Sequence, residues 1–424
     1  MAQQDTIQQA TVQQDTVQQA VLIVGGGMVG LSLALMLAKQ GIAVRLLEAV
    51  KYPQSTGTEA VAYHSSFDAR NTALSRRTVQ IFTELGLWDK LSQHATPILQ
   101  VNISEQGGFG KARLLAEQEK VESFGQVIEN AWLGRVLLSE VRASPHIELI
   151  DGVQVTALTQ DAQTVLVTAQ QDGKLLELQA SLLIAADGRD SFCRKALGIG
   201  ADVHDYNQVA IVTTVQTGKP HQHVAFERFS KNGPLALLPL PATIPQQESH
   251  RRSVVWTVEK GTEDQWLGEH NDAHFLNALQ QTYGNRAGEF NKTGQRFAYP
   301  LAQVLAHQQV SGRVVLMGNA AHTLHPVAGQ GFNLCMRDAH VLTRYLDEQF
   351  QAGADLGDHN RLKHYEQARL TDQKRVIRFC DSVVRGFSNQ NPLLKLARNS
   401  GLMAFELLPG AKQLVATYAM GLKV

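Results

Sequence analysis

The chain has 424 residues, 44% apolar and 18% charged, which describes a soluble globular protein too long for one core and divided into two or three subdomains. Lys and Arg together number 39, as do Asp and Glu, so there is no positive excess to compete for nucleic-acid phosphates. The three cysteines, Cys193, Cys335 and Cys380, form no C-x-x-C pair, which suits a reducing cytoplasm and argues against structural zinc.

Residues 1–20 nearly repeat themselves ("QQDTIQQA", "QQDTVQQA") and read as a Gln-rich disordered tail. The uncharged run Ala20 to Ala38 is not read as a signal or a span. No basic residue precedes Lys39, and three consecutive glycines interrupt it. Instead "VLIV" predicts a strand, "GGGMVG" a tight turn, "LSLALMLAKQG" a helix and "IAVRLLE" a second strand, together a β-α-β unit. "NTALSRRTVQIFTELGLWDKL" and "ENAWLGRVLLSEVRA" are predicted as helices. Strands follow at "IELIDGVQVTALTQ" and "TVLVTAQQ", and "ASLLIAADGRDSFCRKALGI" reads as strand, turn and helix.

From about Tyr206 to Thr257 the pattern turns to strands, "QVAIVTTVQT", "HVAFERF", "LALLPL" and "SVVWTV", and reads as an inserted sheet. "RVVLMGN" is a further buried strand, and nearly everything after Phe332 reads helical. The expected division is a tail (1–20), a dinucleotide-binding domain (21–205 and 301–345), an inserted sheet domain (206–300) and a helical C-terminal region (346–424).

Three constellations carry chemistry. The first is Gly25-x-Gly27-x-x-Gly30, with Met28 and Val29 inside the turn and Glu48 ending the next strand. These glycines permit a tight turn and close approach of a pyrophosphate to a helix N-terminus, while Glu48 can accept from a ribose. The second is "IAADGRDSFCRKALG", where a strand runs into Asp187-Gly188, with Ser191 and Arg194 on an opening helix; taken alone, it reads better as a strand-to-helix turn with an Asp cap. The third is "LMGNAAHTLHPVAGQGFNL". Here Gly318 and Asn319 end a strand, Pro326 stiffens the loop, and Gly329, Gln330 and Gly331 lead through Phe332 and Asn333 into a helix whose N–H groups can stabilise an anion. Alone, it too could be an ordinary capped helix. His322 and His325 make at most half of a metal site, so no metal is expected.

In this order the three motifs, over roughly residues 20–345, resemble the FAD-dependent aromatic hydroxylases of the p-hydroxybenzoate hydroxylase type. "ERFSKNGPLALLPL" and "GNAAHTLHPVAGQGFNLCMRDA" are most similar to the subgroup that hydroxylates polyprenyl phenols in ubiquinone biosynthesis. Most members carry Gly-Asp where this chain has Gly318-Asn319. The Gly-Asn pair is similar to the branch acting on 2-octaprenyl-6-methoxyphenol, so it reads as a marker of subgroup rather than decay. The resemblance implies an α/β fold, a Rossmann-type FAD-binding domain with an inserted β-sheet substrate domain and a helical C-terminus. It also implies FAD as cofactor, NAD(P)H as electron donor, O2 as co-substrate and a polyprenylated phenol as substrate.

The resemblance further places Arg70 near the flavin and its phosphates, Asn319 at the ribityl chain, and Pro326 and Gly329–Gly331 beside the isoalloxazine. His322 is read as packing under the loop and bonding backbone. For His325, a phenol proton relay and plain packing both stay open. Phe229 and "LALLPL" read first as plain sheet core and are also candidates for an apolar passage. The C-terminal stretch, apolar with Lys and Arg, is either a docked core helix or a contact to a membrane surface or partner protein. A cytoplasmic enzyme, peripheral to the inner membrane if attached at all, is expected. An isoprenoid double-bond reductase of the same fold and a non-catalytic scaffold remain as alternatives. A halogenase is not supported, since Trp88, Trp132, Trp256 and Trp266 are too dispersed for a W-x-W-x-I-P motif.

Overall fold

A computed structural model describes residues 21–53, 70–243, 247–388 and 391–407, together with 410, 412, 416, 420 and 421. The Gln-rich tail, the irregular stretch 54–69 and much of the last C-terminal segment lie outside the described residues.

The chain centres on a six-stranded sheet. Its order across the sheet is Val310–Ser311, Val314–Leu316, Leu182–Ala185, Val21–Val24, Val44–Glu48 and Ile147–Asp151. All neighbours are parallel except the first pair. "VLIV" and "LLIA" are buried at every position, as strands covered on both faces require. Helices Met28–Lys39 and Asn130–Ala143 cover one side, with helix Gln330–Gln351 packed against the first.

Register explains why distant motifs meet. Val24 pairs with both Leu47 and Ala185, and Ala185 pairs with Leu316. Gly25, Glu48, Asp187 and Gly318 therefore leave the sheet at one edge, the carboxyl end of parallel strands, where open α/β sheets bind ligands.

Above that edge lies a nine-stranded sheet. Its path runs through His322–Thr323, Phe297–Ala306, Ala201–Thr217, Arg251–Glu259, Gly233–Pro239, Val224–Ser230, Gln100–Glu105 and Lys111–Leu115, with Phe290–Thr293 beside Ala201–Thr217. Strands from 206–300 form its middle, while 100–115 and 322–323 supply its two ends. Helix His359–Ser388 packs on this sheet's strands Val224–Ser230 and Gly233–Pro239, and helix Pro392–Leu407 on its edge strand Lys111–Leu115.

One expected helix is corrected. "NTALS" is a strand, Asn71–Ser75, paired antiparallel with Gly125–Glu129. The helix begins only at Arg76, where the Ser75 hydroxyl accepts from the Thr78 N–H at 3.3 Å. It ends at Glu84, just ahead of Gly86, whose φ of +78° no continuing helix can hold, and Trp88–Ser92 forms a separate short helix.

Candidate functional site

The three turns open onto one cavity of about 1050 Å³ between the two large sheets. Gly25, Gly27, Met28, Val29 and Glu48 line it from the first turn, Asp187 and Gly188 from the second, and Arg70 from the side. Gly318, Asn319, Pro326, Gly329, Gln330, Gly331, Phe332 and Asn333 line it from the third. Gly30, Arg194 and His325, named with them from sequence, are not in the wall.

Gly25 has a φ of +109°, and a Cβ there would lie 2.4 Å from the Ala186 carbonyl oxygen. A Cβ on Gly30 would lie 1.9 Å from the Gly25 carbonyl oxygen, so Gly30 lets the helix enter beneath the turn. The Glu48 carboxylate accepts from the Gly26 N–H at 2.6 Å and the Val50 N–H at 2.9 Å. Tyr52, missed in the sequence reading, donates its hydroxyl to the Gly26 carbonyl and so pins the turn from below. Only an aromatic just beyond the second strand could have hinted at it.

Asp187 Oδ2 accepts from the Cys193 N–H at 3.0 Å. Arg194 lies behind the turn, giving its guanidinium to the carbonyls of Ala320 and Arg189, both at 2.9 Å. It braces the second turn to the third. In the third turn Ala328 (φ +54°) and Gly329 (φ +59°) are both left-handed before the helix starts. Ala328 carries the strain of a side chain in that region. Ala328→Gly is therefore expected to raise stability by about 1 kcal/mol, read by thermal unfolding; a lower melting temperature would contradict this.

Asn333 staples the turn in place. Its amide nitrogen donates to the carbonyls of Ala73 (2.7 Å) and Gly329 (2.8 Å), and its oxygen accepts from the Ser75 N–H (2.8 Å) and the Thr78 hydroxyl (2.7 Å). A Cβ at Gly331 would meet nothing within 4 Å, so the first turn of helix Gln330–Gln351 is open to the cavity.

Residues 18–380 match the family described as FAD binding domain. The chain is 34% identical to ubiquinone hydroxylase UbiL of Rhodospirillum rubrum over 95% of its length and 89% of the relative's. The chain belongs to the family of FAD-dependent ubiquinone hydroxylases. It is also 31% identical to the 3-demethoxyubiquinol 3-hydroxylase of Escherichia coli, covering 95% of this chain and 98% of that one. The p-nitrophenol 4-monooxygenase of Pseudomonas putida shares the fold, with a TM-score of 0.75 at 18% identity, over 94% of this chain and 97% of the other. This is a flavoprotein monooxygenase, with a Rossmann-type domain, an inserted sheet and a helical C-terminus.

The hydroxylase turns fit the dinucleotide. Asp187 Oδ1 is buried with no hydrogen-bond partner among the described residues, an acceptor waiting for a donor. Gly25 and Gly331 have no side chain to obstruct a ligand, and helix Gln330–Gln351 starts in the cavity wall with no side-chain cap at Gly329. Asn319 is exposed in the cavity wall. Asn319→Asp is expected to retain FAD, since both side chains accept at the same point. Flavin absorbance surviving gel filtration checks this, and a colourless variant would refute it.

The two loop histidines do different work from one another. His322 Nε2 lies 2.6 Å from Asp338 Oδ2, so its partner is a buried carboxylate and not the expected backbone. Asp338 also accepts from Arg369 Nε at 2.6 Å, and Arg369 and Arg337 both pair with Asp372. Burial opposes ionisation of Asp338, but the His322 hydrogen bond and the His322 and Arg369 charges hold its carboxyl below the usual range. His325 is 1% exposed, and burial lowers its imidazole to about 4. The Val327 N–H donates to its Nδ1 (3.2 Å), leaving Nε2–H to face Gln208 Oε1 at 3.3 Å. These contacts support the packing reading, in which His325 shapes the turn at Pro326.

Proposed function

We propose that the protein hydroxylates a polyprenylated phenol in ubiquinone biosynthesis, drawing electrons from NAD(P)H and oxygen from O2, with 2-octaprenyl-6-methoxyphenol as the substrate. The observation that carries the reading is the continuity of one cavity. Its floor is the three turns, and its other half is apolar, walled by Val101, Leu114, Phe124, Ala225, Phe229 and Leu238. Phe379, Phe387, Leu402 and Phe405 from the two C-terminal helices close it. A polar redox floor beneath an apolar chamber suits a ring with an isoprenoid tail.

In this reading Gly25, Gly27, Met28 and Val29 pass the pyrophosphate, with Gly30 permitting their approach, and Glu48 accepts from the ribose. Arg70, 4.6 Å from the Tyr299 ring centre, offers its charge to the phosphates and flavin edge. Asp187 and Gly188 contact the dinucleotide, with Arg194 holding their turn. Gly318 and Asn319 meet the ribityl chain, and Pro326 lies beside the ring system. Gly329, Gln330, Gly331, Phe332 and Asn333 set the helix dipole where it stabilises negative charge on the flavin. Bound FAD supplies the oxygen chemistry; the chain orients the ring and excludes water.

No helix among the described residues is long and apolar enough to cross a membrane. We place the enzyme at a membrane surface from the cytoplasmic side, where it would meet its substrate and other proteins of the pathway. Exposed Leu393, Leu396 and Met403 support this, because their helix also walls the cavity. Deleting the gene and identifying the accumulating quinone precursor tests the substrate. The reading expects 2-octaprenyl-6-methoxyphenol, and accumulation of a different precursor would overturn it.

A further inference from the structure

The apolar half of the cavity contains one group that its surroundings do not explain. Glu227 lines it from strand Val224–Ser230. Its neighbours in the cross-strand row are Ile103 on one side and Ala236, then Val255, on the other. The side chains two residues away on its own face are Ala225 and Phe229. No hydrogen bond or ion pair is made by its carboxyl among the described residues. An isolated carboxylate in an apolar wall is costly unless something satisfies it.

The charged groups around it are engaged elsewhere. Arg228 points to the opposite face and gives its Nε to the Thr282 carbonyl at 2.8 Å. Glu105, one row along, is held by Arg398 and Asn399, both at 2.6 Å. Helix His359–Ser388 presents Phe379, Val383 and Phe387 to the cavity, while its Asp381 pairs with Arg385 and Cys380 is buried. Strands Gly233–Pro239 and Arg251–Glu259 offer only Ala236, Leu238 and Val255.

Its position is also suited to a ring held over the flavin. Ile103 and Phe229, which flank it, pack in one cluster with Leu324 and Val327 of the third turn. We propose that Glu227 is the catalytic residue that receives the substrate phenol, accepting its hydroxyl hydrogen bond and then its proton. This assignment rests on the functional reading above. The phenol O–H bond breaks, its electron pair stays on oxygen, and the proton passes to a Glu227 carboxylate oxygen. The resulting phenolate is the better nucleophile towards the oxygen donor. Burial raises the Glu227 carboxyl to about 7, which poises it for this transfer at neutral pH.

The test uses FAD-loaded Glu227→Gln with a short-chain prenylated 2-methoxyphenol. The amide keeps the shape but cannot take a proton. We expect kcat to fall roughly 100-fold or more with KM little changed. The parent's rate should rise as pH passes about 7, and the variant should lose that rise. In the parent the bound phenol's phenolate absorbance should grow over the same range, and in the variant it should not. A ring-fluorinated phenol, already ionised at assay pH, should restore the variant. Parental kcat and pH profile in Glu227→Gln would overturn the assignment. So would a lowered melting temperature in both Glu227→Gln and Glu227→Leu, which would make the carboxyl a structural group. If the parent turns over no prenylated phenol, the functional reading fails, while the phenolate absorbance still decides the role of Glu227.

Discussion

Gly30→Ala is expected to abolish retention of FAD and to lower stability by about 3 kcal/mol. The added methyl would lie 1.9 Å from the Gly25 carbonyl oxygen, far inside contact distance. A Cβ has no rotamer and its partner is backbone, so no side-chain movement relieves the clash. Either helix Met28–Lys39 moves away or Gly25 turns. Gly25 has little freedom to turn, because its N–H is held by the Leu47 carbonyl at 2.8 Å and the next residue, Gly26, is bonded to both Glu48 and Tyr52. Displacing either one moves the N–H groups at the start of the helix. Thermal unfolding and flavin absorbance after gel filtration read the two effects. A yellow variant with the parental melting temperature would contradict the account of this turn.

The second large effect is expected at a residue that no ligand touches. Asp338 is 1% exposed and joins His322, Arg369 and Gln373. Asp338→Ala leaves the Arg369 guanidinium, itself 1% exposed, with Asp372 as its remaining carboxylate, which Arg337 already shares. Breaking a buried ion pair from one side costs about 3–5 kcal/mol, because the surviving charge stays desolvated. The loss should be accompanied by weaker flavin binding, since His322 ties this network to the Gly318–Thr323 segment. Adding Arg369→Leu should recover part of the loss, and chemical denaturation of the singles and the double measures it. Strictly additive losses would mean that the two side chains do not act as a pair.

Much of the dinucleotide floor was legible because its physics is local. An apolar run, three glycines and an acidic residue one strand later dictate a β-α-β turn without reference to the rest of the chain. The meeting of the three turns was legible as resemblance, and its cause is register, with Val24, Leu47, Ala185 and Leu316 side by side. "NTALS" was misread because its partner, Gly125–Glu129, lies some fifty residues on, and pairing overrides local propensity. Arg194 has the charge to hold phosphate, yet the carbonyls of Ala320 and Arg189 take it, which no spacing reveals.

The inserted sheet shows the other limit. In "HVAFERF" and "LALLPL" alternation is plain, but period two does not say which face meets the cavity. The structure puts Ala225, Glu227 and Phe229 on it, with Ala236 and Leu238, and sends Leu235 and Leu237 into a separate core. The same choice of face brings Glu227 to the cavity and turns Arg228 away from it. The contribution of Gln100–Glu105 could not be anticipated either, since that strand joins the sheet in parallel from far upstream.

We propose that this chain inserts an oxygen atom from O2 into a prenylated phenol. The most direct measurement is turnover of FAD-loaded protein with NAD(P)H and the prenylated methoxyphenol under 18O-labelled O2, with the product's mass read. One labelled oxygen on the ring is expected, and no product when O2 is removed. Label-free product, or conversion that continues without O2, would contradict it and favour a reductase acting on the isoprenoid chain.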